Sequence, residues 1–291
     1  MDTSAIIGFT NSLFDVIRRE KPEYLAVAFD KGGSHERVEL YEDYKANRDE
    51  TPEAIKIAVP YIQRILKAMH IPIVVEEGIE ADDLIGTLAK QAEKEGFTTY
   101  MVTPDKDYAQ LVSENIFMYK PARMGNGVEI WGIPEVQKRF EAERPEQVID
   151  YLGMMGDASD NIPGLPGVGD KTAKKFIAAY GSMEGLFENI HELKGKMKEK
   201  VEANQKLGLL SKQLATIKLD CPVQFDAKNY TLDDPSCCKS YPRTTRANKI
   251  VTRRKRYIKE CFKQAFCSCR GTRAALNLVL LRFRESVKYR V

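Results

Sequence analysis

The chain has 291 residues, 43% hydrophobic and 30% charged, an ordinary globular balance and enough for one large domain or two modest ones. No run of 18 apolar residues occurs, which excludes a transmembrane helix, and the first twenty residues lack the features of a secretory signal, so the cytoplasm is the expected compartment. The net charge of +3 conceals two unlike parts: residues 236–291 hold 6 Lys and 10 Arg against 2 Glu, a balance of +14, which leaves 29 basic and 40 acidic residues in 1–235, a balance of −11.

Residues 3–20 place Ile6, Ile7, Phe9, Leu13, Phe14 and Ile17 near one face at helical spacing. The run YLAVAFD at 24–30 reads as a buried parallel strand with Asp30 at its carboxyl end. Residues 31–52 are polar and loop-like and carry the basic cluster Tyr44-Lys45-Ala46-Asn47-Arg48. Thr51-Pro52-Glu53 opens a helix through about Met69, a strand follows over Ile71–Glu77, and Glu80–Glu95 forms a helix with acids at its start. A third strand, FTTYMVTPD at 97–105, again ends in an acid. This order predicts an α/β fold, a parallel sheet with helices on both faces, whose ligands sit beyond the carboxyl ends of the strands.

Asn115–Gly132 reads as a strand pair around a Gly-Asn-Gly turn. From Pro134 the pattern is helical to about Asp220, interrupted at 157–169, and Asp220–Leu232 is extended. Cysteine divides like charge. Cys221 lies in the body, whereas Cys237, Cys238, Cys261, Cys267 and Cys269 lie in the basic tail, and no disulfide framework is expected.

Eight acids carry the chemical signal: Asp30, Glu80, Asp82, Asp83, Asp105, Asp107, Asp157 and Asp160. Singly, each fits helix capping. Together on one sheet edge they repel and need a counter-ion. Oxygen donors without His or Cys point to a hard cation, Mg²⁺ or Mn²⁺, and carboxylates shared between two such ions suit phosphodiester hydrolysis. The three histidines, His35, His70 and His191, give no Ser-His-Asp arrangement.

The segment NIPGLPGVGDKTAKK at 161–175 is neither a P-loop nor a dinucleotide fingerprint. Gly164, Gly167 and Gly169 permit a tight turn, and the helix from Asp170 follows directly. Its form is a helix-hairpin-helix, which grips a nucleic-acid backbone through N–H groups, Thr172 and the positive charges Lys171, Lys174 and Lys175.

AFD at 28–30, YKANR at 44–48, EADDLIGTLA at 80–89, TPDKDYAQLV at 103–112 and GDASDNIPGLPGVGDKTA at 156–173 make the sequence resemble the 5′-nuclease (5′-3′ exonuclease, flap endonuclease-like) domains at the N-terminus of bacterial DNA polymerase I. The resemblance runs through residues 3–233. It implies a PIN-like α/β domain with a helical arch and a helix-three-turn-helix element, removing 5′ ends and flaps with two divalent metals. By motif, Glu80, Asp82 and Asp105 would sit nearest one metal and Asp107, Asp157 and Asp160 nearer the other, with Asp30 and Asp83 as ligands or their support. Lys45 and Arg48 would contact the scissile phosphate beside Tyr44. The hairpin would hold duplex DNA, with K⁺ bound. The expected partner is flapped, nicked or gapped DNA, with no membrane and no small-molecule substrate, and the expected state is a monomer.

Domains are expected at 1–133 (catalytic), 134–233 (helical, DNA-binding) and 234–291 (tail). The family's first strand should precede residue 1; without it an apolar groove should open in the sheet. The tail reads as an out-of-frame or disordered extension. Its rivals are a basic nucleic-acid arm, a zinc knuckle at Cys267-Ser268-Cys269, and an amphipathic membrane helix at 274–290. For the body, a PIN-like ribonuclease and a truncated, catalytically impaired DNA-binding fragment are the alternatives to a DNA nuclease.

Overall fold

The structure, a computed structural model, describes residues 3–122, 127–232 and 278–283. The chain divides into two compact units, the first built from the described parts of Met1–Val27, Glu50–Ile73 and Ala227–Leu276, and the second from those of Ala28–Asp49, Val74–Asp226 and Asn277–Val291.

In the first unit, α1 (Ser4–Glu20) buries Ala5, Ile6, Phe9, Leu13, Val16 and Ile17. The buried stripe is narrower than expected, since Ile7 remains 38% exposed. Lys21 ends α1 in the left-handed region and donates its N–H to the Ile17 carbonyl, satisfying one of the orphan acceptors of a helix end. α3 (Glu53–Ala68) packs on α1 and buries Ala58, Ile62 and Leu66. β1 (Tyr24–Ala28) is buried over its last four residues, as a two-sided strand should be. The stretch expected to be extended through Leu232 instead contains a one-turn helix, Ala227–Tyr230.

The second unit holds the sheet edge that matters for function. Phe29 donates to the Val74 carbonyl of β2 (Ile73–Val74), and Lys31 pairs in parallel with Glu77. β3 (Phe97–Val102) pairs in parallel with β4 (Ile116–Lys120), which pairs antiparallel with β5 (Glu129–Trp131). α4 (Ala81–Lys94) covers β3 with Leu84, Ile85, Leu88, Ala89 and Ala92. The polar stretch 31–52 is not all loop. Ser34 caps a short helix, α2 (His35–Leu40), its hydroxyl accepting from the Arg37 N–H at 3.2 Å.

β6 (Leu278–Phe283) corrects the reading of the tail. It pairs antiparallel with β3 over all six residues, Phe97 opposite Phe283 and Val102 opposite Leu278. Within 278–283 the tail is therefore neither irregular nor a membrane helix. Both edges of β3 are paired, so no groove is left open beside it. The apolar run Leu278-Val279-Leu280-Leu281 suits a central strand as readily as a helix face, and its shortness favours the strand. The tail cysteines and Gly125-Asn126 of the Gly-Asn-Gly turn lie outside the described residues. No helix among the described residues is long and apolar enough to cross a membrane.

The rest of the unit is helical: α5 (Ile133–Phe140), α6 (Gln147–Met155), α7 (Asp170–Tyr180), α8 (Met183–Glu188), α9 (Gly195–Ala203) and α10 (Gln205–Ala215). α6 and α10 pack closely enough that a Cβ at Gly153 would lie 2.7 Å from the Lys212 Cα.

Candidate active site

The start of α4 organises the acids. Asp30, just beyond β1, accepts the Ala81 N–H at 2.7 Å and so caps α4 from another element. That fixes Glu80 and Asp82 at the helix entrance. Asp105 follows β3 and accepts the Asp107 N–H at 3.1 Å, starting a 3₁₀ turn over Lys106–Leu111. That turn aims the buried Tyr108 back at α4, where its hydroxyl donates to Asp82 Oδ1 at 2.7 Å.

The remaining acids come from 157–162, a loop closed by reciprocal backbone bonds between Asp157 and Ile162. It is laced to the basic segment 43–48. Lys45 N–H donates to the Asp160 carbonyl at 2.9 Å, Asn47 to that of Ala158 and Asn161 to that of Asp43, both at 2.7 Å. Lys45 and Asn161 both sit at φ 57°, a left-handed conformation that a non-glycine residue holds only where its surroundings enforce it. Two motifs more than a hundred residues apart thus form one structural piece.

Electrostatics divide the acids into two overlapping groups. Burial, reinforced by Asp105, Asp30 and Glu80, pushes Asp82 up to about 7 against the opposing hydrogen bond from Tyr108. Burial together with Asp105, Asp157 and Asp160 raises Asp107 well above the usual carboxylate range, with Lys106 opposing. Asp105 acts on both. Among the described residues the buried Asp107 Oδ1 has no hydrogen-bond partner.

Cations already meet part of this charge. Lys45 Nζ lies 2.6 Å from Glu80 Oε1 and 3.4 Å from Asp160 Oδ2, Lys106 Nζ lies 2.6 Å from Asp157 Oδ2, and Arg48 pairs with Asp160. Among the described residues no three ligand side chains are gathered around one point that could take a metal. The donor chemistry nevertheless fits a hard divalent ion. The donors are all oxygen, burial and the neighbouring acids raise two of the carboxyls, and among the described residues one buried carboxylate oxygen has no donor.

Three residues expected at the site are placed elsewhere or used differently. Asp83 is 1% exposed, and both its oxygens are used: Arg37 grips them at 2.7 Å each and the Lys218 N–H donates to Oδ1 at 2.8 Å. Through the Arg37 guanidinium it is linked to Glu80. Tyr44 is 6% exposed and donates to Glu80 Oε2 at 3.1 Å, so it supports a carboxylate rather than presenting a surface to DNA. Lys174 folds onto Asp170 at 3.3 Å and Glu141 at 3.6 Å, which neutralises it within the protein. Lys171 and Lys175 are exposed, and Thr172 is half-buried.

The hairpin separates its glycines by role. Gly167 and Gly169 are exposed, and Gly169 precedes α7 as its N-cap. Gly164 is buried, its N–H donating to the Ser211 hydroxyl at 3.0 Å. At φ 66°, a Cβ there would lie 2.5 Å from the Gly156 nitrogen. Gly164 therefore allows two backbones to touch and does not face a ligand. Gly164→Ala is expected to destabilise the protein by about 1–3 kcal/mol through overpacking, read as a lower urea midpoint at unchanged slope.

Sequence reasoning missed Arg37. It lies 5% exposed, spans Asp83 and Glu80 (3.1 Å), and donates to the Leu214 and Thr216 carbonyls at 3.1 and 2.8 Å. Its only sequence signal is an arginine inside the first turn of a Ser-capped helix.

Comparison with known proteins gives the family. Residues 1–141 match the model of the 5′-3′ exonuclease N-terminal resolvase-like domain, and residues 143–237 match that of the 5′-3′ exonuclease C-terminal SAM fold. DNA polymerase I of Bacillus subtilis is 42% identical over 223 residues, covering 76% of this chain and 25% of that protein. DNA polymerase I of Caldicellulosiruptor bescii is 40% identical over 223 residues, covering 76% and 26%. The chain thus spans about a quarter of the length of these relatives. Among solved structures, the T5 5′-exonuclease with bound divalent metal ions (zinc) superposes with a TM-score of 0.59 at 22% identity, over 71% of this chain and 79% of that one. The catalytic core of Rad2 in complex with DNA substrate gives 0.55 at 16% identity, over 92% and 91%. Two consecutive domain models of one family meet at residues 141–143, and together they contain the laced acidic and basic motifs: the chain belongs to the 5′-3′ exonuclease family.

Proposed function

We propose that this chain hydrolyses phosphodiester bonds at the 5′ ends and 5′ flaps of DNA, with two divalent ions, Mg²⁺ or Mn²⁺, held by Asp30, Glu80, Asp82, Asp105, Asp107, Asp157 and Asp160. The observation that carries this is a buried Asp107 oxygen that no group among the described residues satisfies, beside Asp82 and Asp107 carboxyls that burial and neighbouring acids push up. The metal-bearing T5 exonuclease and the DNA-bound Rad2 core support it. Bound divalent ions supply Lewis acidity toward the phosphate and the attacking water.

The chain's own groups do the rest. Asp105 acts by its charge on both Asp82 and Asp107 and accepts the Asp107 N–H. Lys45 and Arg48 rest on Glu80 and Asp160, at the entrance to the acids, from which they transfer to the scissile phosphate as DNA enters. Gly167, Gly169, Lys171, Thr172 and Lys175 grip duplex backbone without reading sequence, with K⁺ at the hairpin. Residues 1–133 form the catalytic region, 134–233 the helical DNA-binding one, and 234–291 a basic extension. The chain acts as a cytoplasmic monomer on flapped, nicked or gapped duplexes, within replication primer removal and repair.

The closed pairs of Lys45 and Lys106 with their acids favour a second reading, a catalytically impaired fragment that keeps the DNA grip. A labelled 5′-flap DNA incubated with the purified chain separates the two. Flap release in Mg²⁺ and none in EDTA is expected, with binding that weakens steeply as salt rises. Binding without release would establish the impaired fragment. Equal cleavage of RNA and DNA would move the assignment to a ribonuclease, and salt-independent binding would end the nucleic-acid reading.

A further inference from the structure

Tyr108 is a fully buried residue whose phenol faces the acids rather than the core. It lies on the 3₁₀ turn that begins at Asp105, and its hydroxyl reaches across to Asp82 in the first turn of α4. The two segments that supply acids to one group are thereby linked by a side chain that is not itself an acid. At 2.7 Å this is a short, part-buried hydrogen bond to a carboxylate.

We propose that Tyr108 is a positioning residue for the divalent-ion site: its hydrogen bond to Asp82 Oδ1 fixes the plane of that carboxylate and presents it to the ion. This rests on the nuclease reading above. The bond occupies Oδ1 alone, so Asp82 engages an ion through one oxygen while Tyr108 keeps the other. A carboxylate surrounded by Asp30, Glu80 and Asp105 would otherwise turn away from its neighbours. Outer partners of this kind set ligand orientation, and their removal weakens metal binding by about 10–100-fold.

Tyr108→Phe keeps the ring and deletes only the donor. In the full chain, Mn²⁺ binding measured directly by electron paramagnetic resonance is expected to weaken about tenfold or more. The Mg²⁺ concentration for half-maximal flap cleavage should rise by the same factor. The turnover rate at saturating metal should stay within about twofold of the parent, because the ligand remains and only its orientation is lost. Flap binding in EDTA reports on folding and is expected to match the parent, and the thermal midpoint to fall by no more than the few degrees that one lost hydrogen bond costs. In an Asp82→Asn background, adding Tyr108→Phe should weaken Mn²⁺ no further, since the two act as one unit.

A Tyr108→Phe protein that binds Mn²⁺ like the parent would overturn the proposal. So would a reduced turnover rate with unchanged metal affinity, or an additive loss in the Asp82→Asn background. A parent chain that binds no Mn²⁺ and cuts no flap is a different result; it would overturn the nuclease reading and this proposal with it.

Discussion

Arg37→Ala is expected to remove about 3–5 kcal/mol of folding stability, the usual cost of leaving a buried charge unpaired. Arg37 and Asp83 are 5% and 1% exposed, and the guanidinium meets both carboxylate oxygens at 2.7 Å in a two-pronged contact. Truncation strands Asp83 with only the Lys218 N–H, and it also orphans the Leu214 and Thr216 carbonyls. Glu80 suffers less because Lys45 and Tyr44 still reach it. Against a total margin of about 5–15 kcal/mol, the loss should be plain in urea unfolding followed by circular dichroism. Replacing both partners, Arg37→Met with Asp83→Leu, should recover most of it, since Asp83 is then no longer left as an unpaired buried charge. A single-substitution loss below about 1 kcal/mol would show that the cluster opens to water and that the pair is not the clamp described here.

Asp105→Ala is expected to lower flap cleavage by about 1000-fold or more, equivalent to roughly 4 kcal/mol of barrier, while flap binding in EDTA persists. Asp105 raises both Asp82 and Asp107, so its loss acts on the two groups at once. Unfolding would not account for that result. Losing the side-chain cap on the Asp107 N–H costs about 0.5–2 kcal/mol, and relief of repulsion among the remaining acids offsets it. Thermal midpoints of the two proteins should therefore lie close together. Normal cleavage by the Asp105→Ala protein would remove Asp105 from the site and with it the division of the acids into two groups.

Both predictions depend on residues that differ in how visible they are in the chain. Asp105 is legible. It ends an apolar strand, and an acid in that place has few reasons to be there other than capping or ligation. The same logic found Asp30, Glu80 and Asp82. The laced motifs were legible as pieces but not as neighbours, because nothing local brings Tyr44–Arg48 to Asp157–Asn161.

Arg37 was invisible because its partners, Asp83, Leu214, Thr216 and Glu80, are 43 or more positions away, the farthest by 179. An arginine in a polar stretch reads as solvated until a distant segment covers it. Asp83, Tyr44 and Lys174 are hidden in the opposite way. Each has the right chemistry within the right motif, yet burial or an ion pair spends it inside the protein. The strand at Leu278–Phe283 was lost in a tail whose basic composition outweighed a short apolar run.

By itself the sequence determined the alternation of strands and helices, the acids at strand ends and the glycine-rich turn. Periodicity, capping and turn chemistry act over a few residues, and side-chain type alone declares them. Only the tertiary structure decided which acids share a group, that Asp83 is a buried clamp, that Gly164 faces a backbone, and that β6 pairs with β3. Burial and charge compensation depend on what lies across space, and there they decide whether an ionisable group is a ligand, a support or a counter-ion.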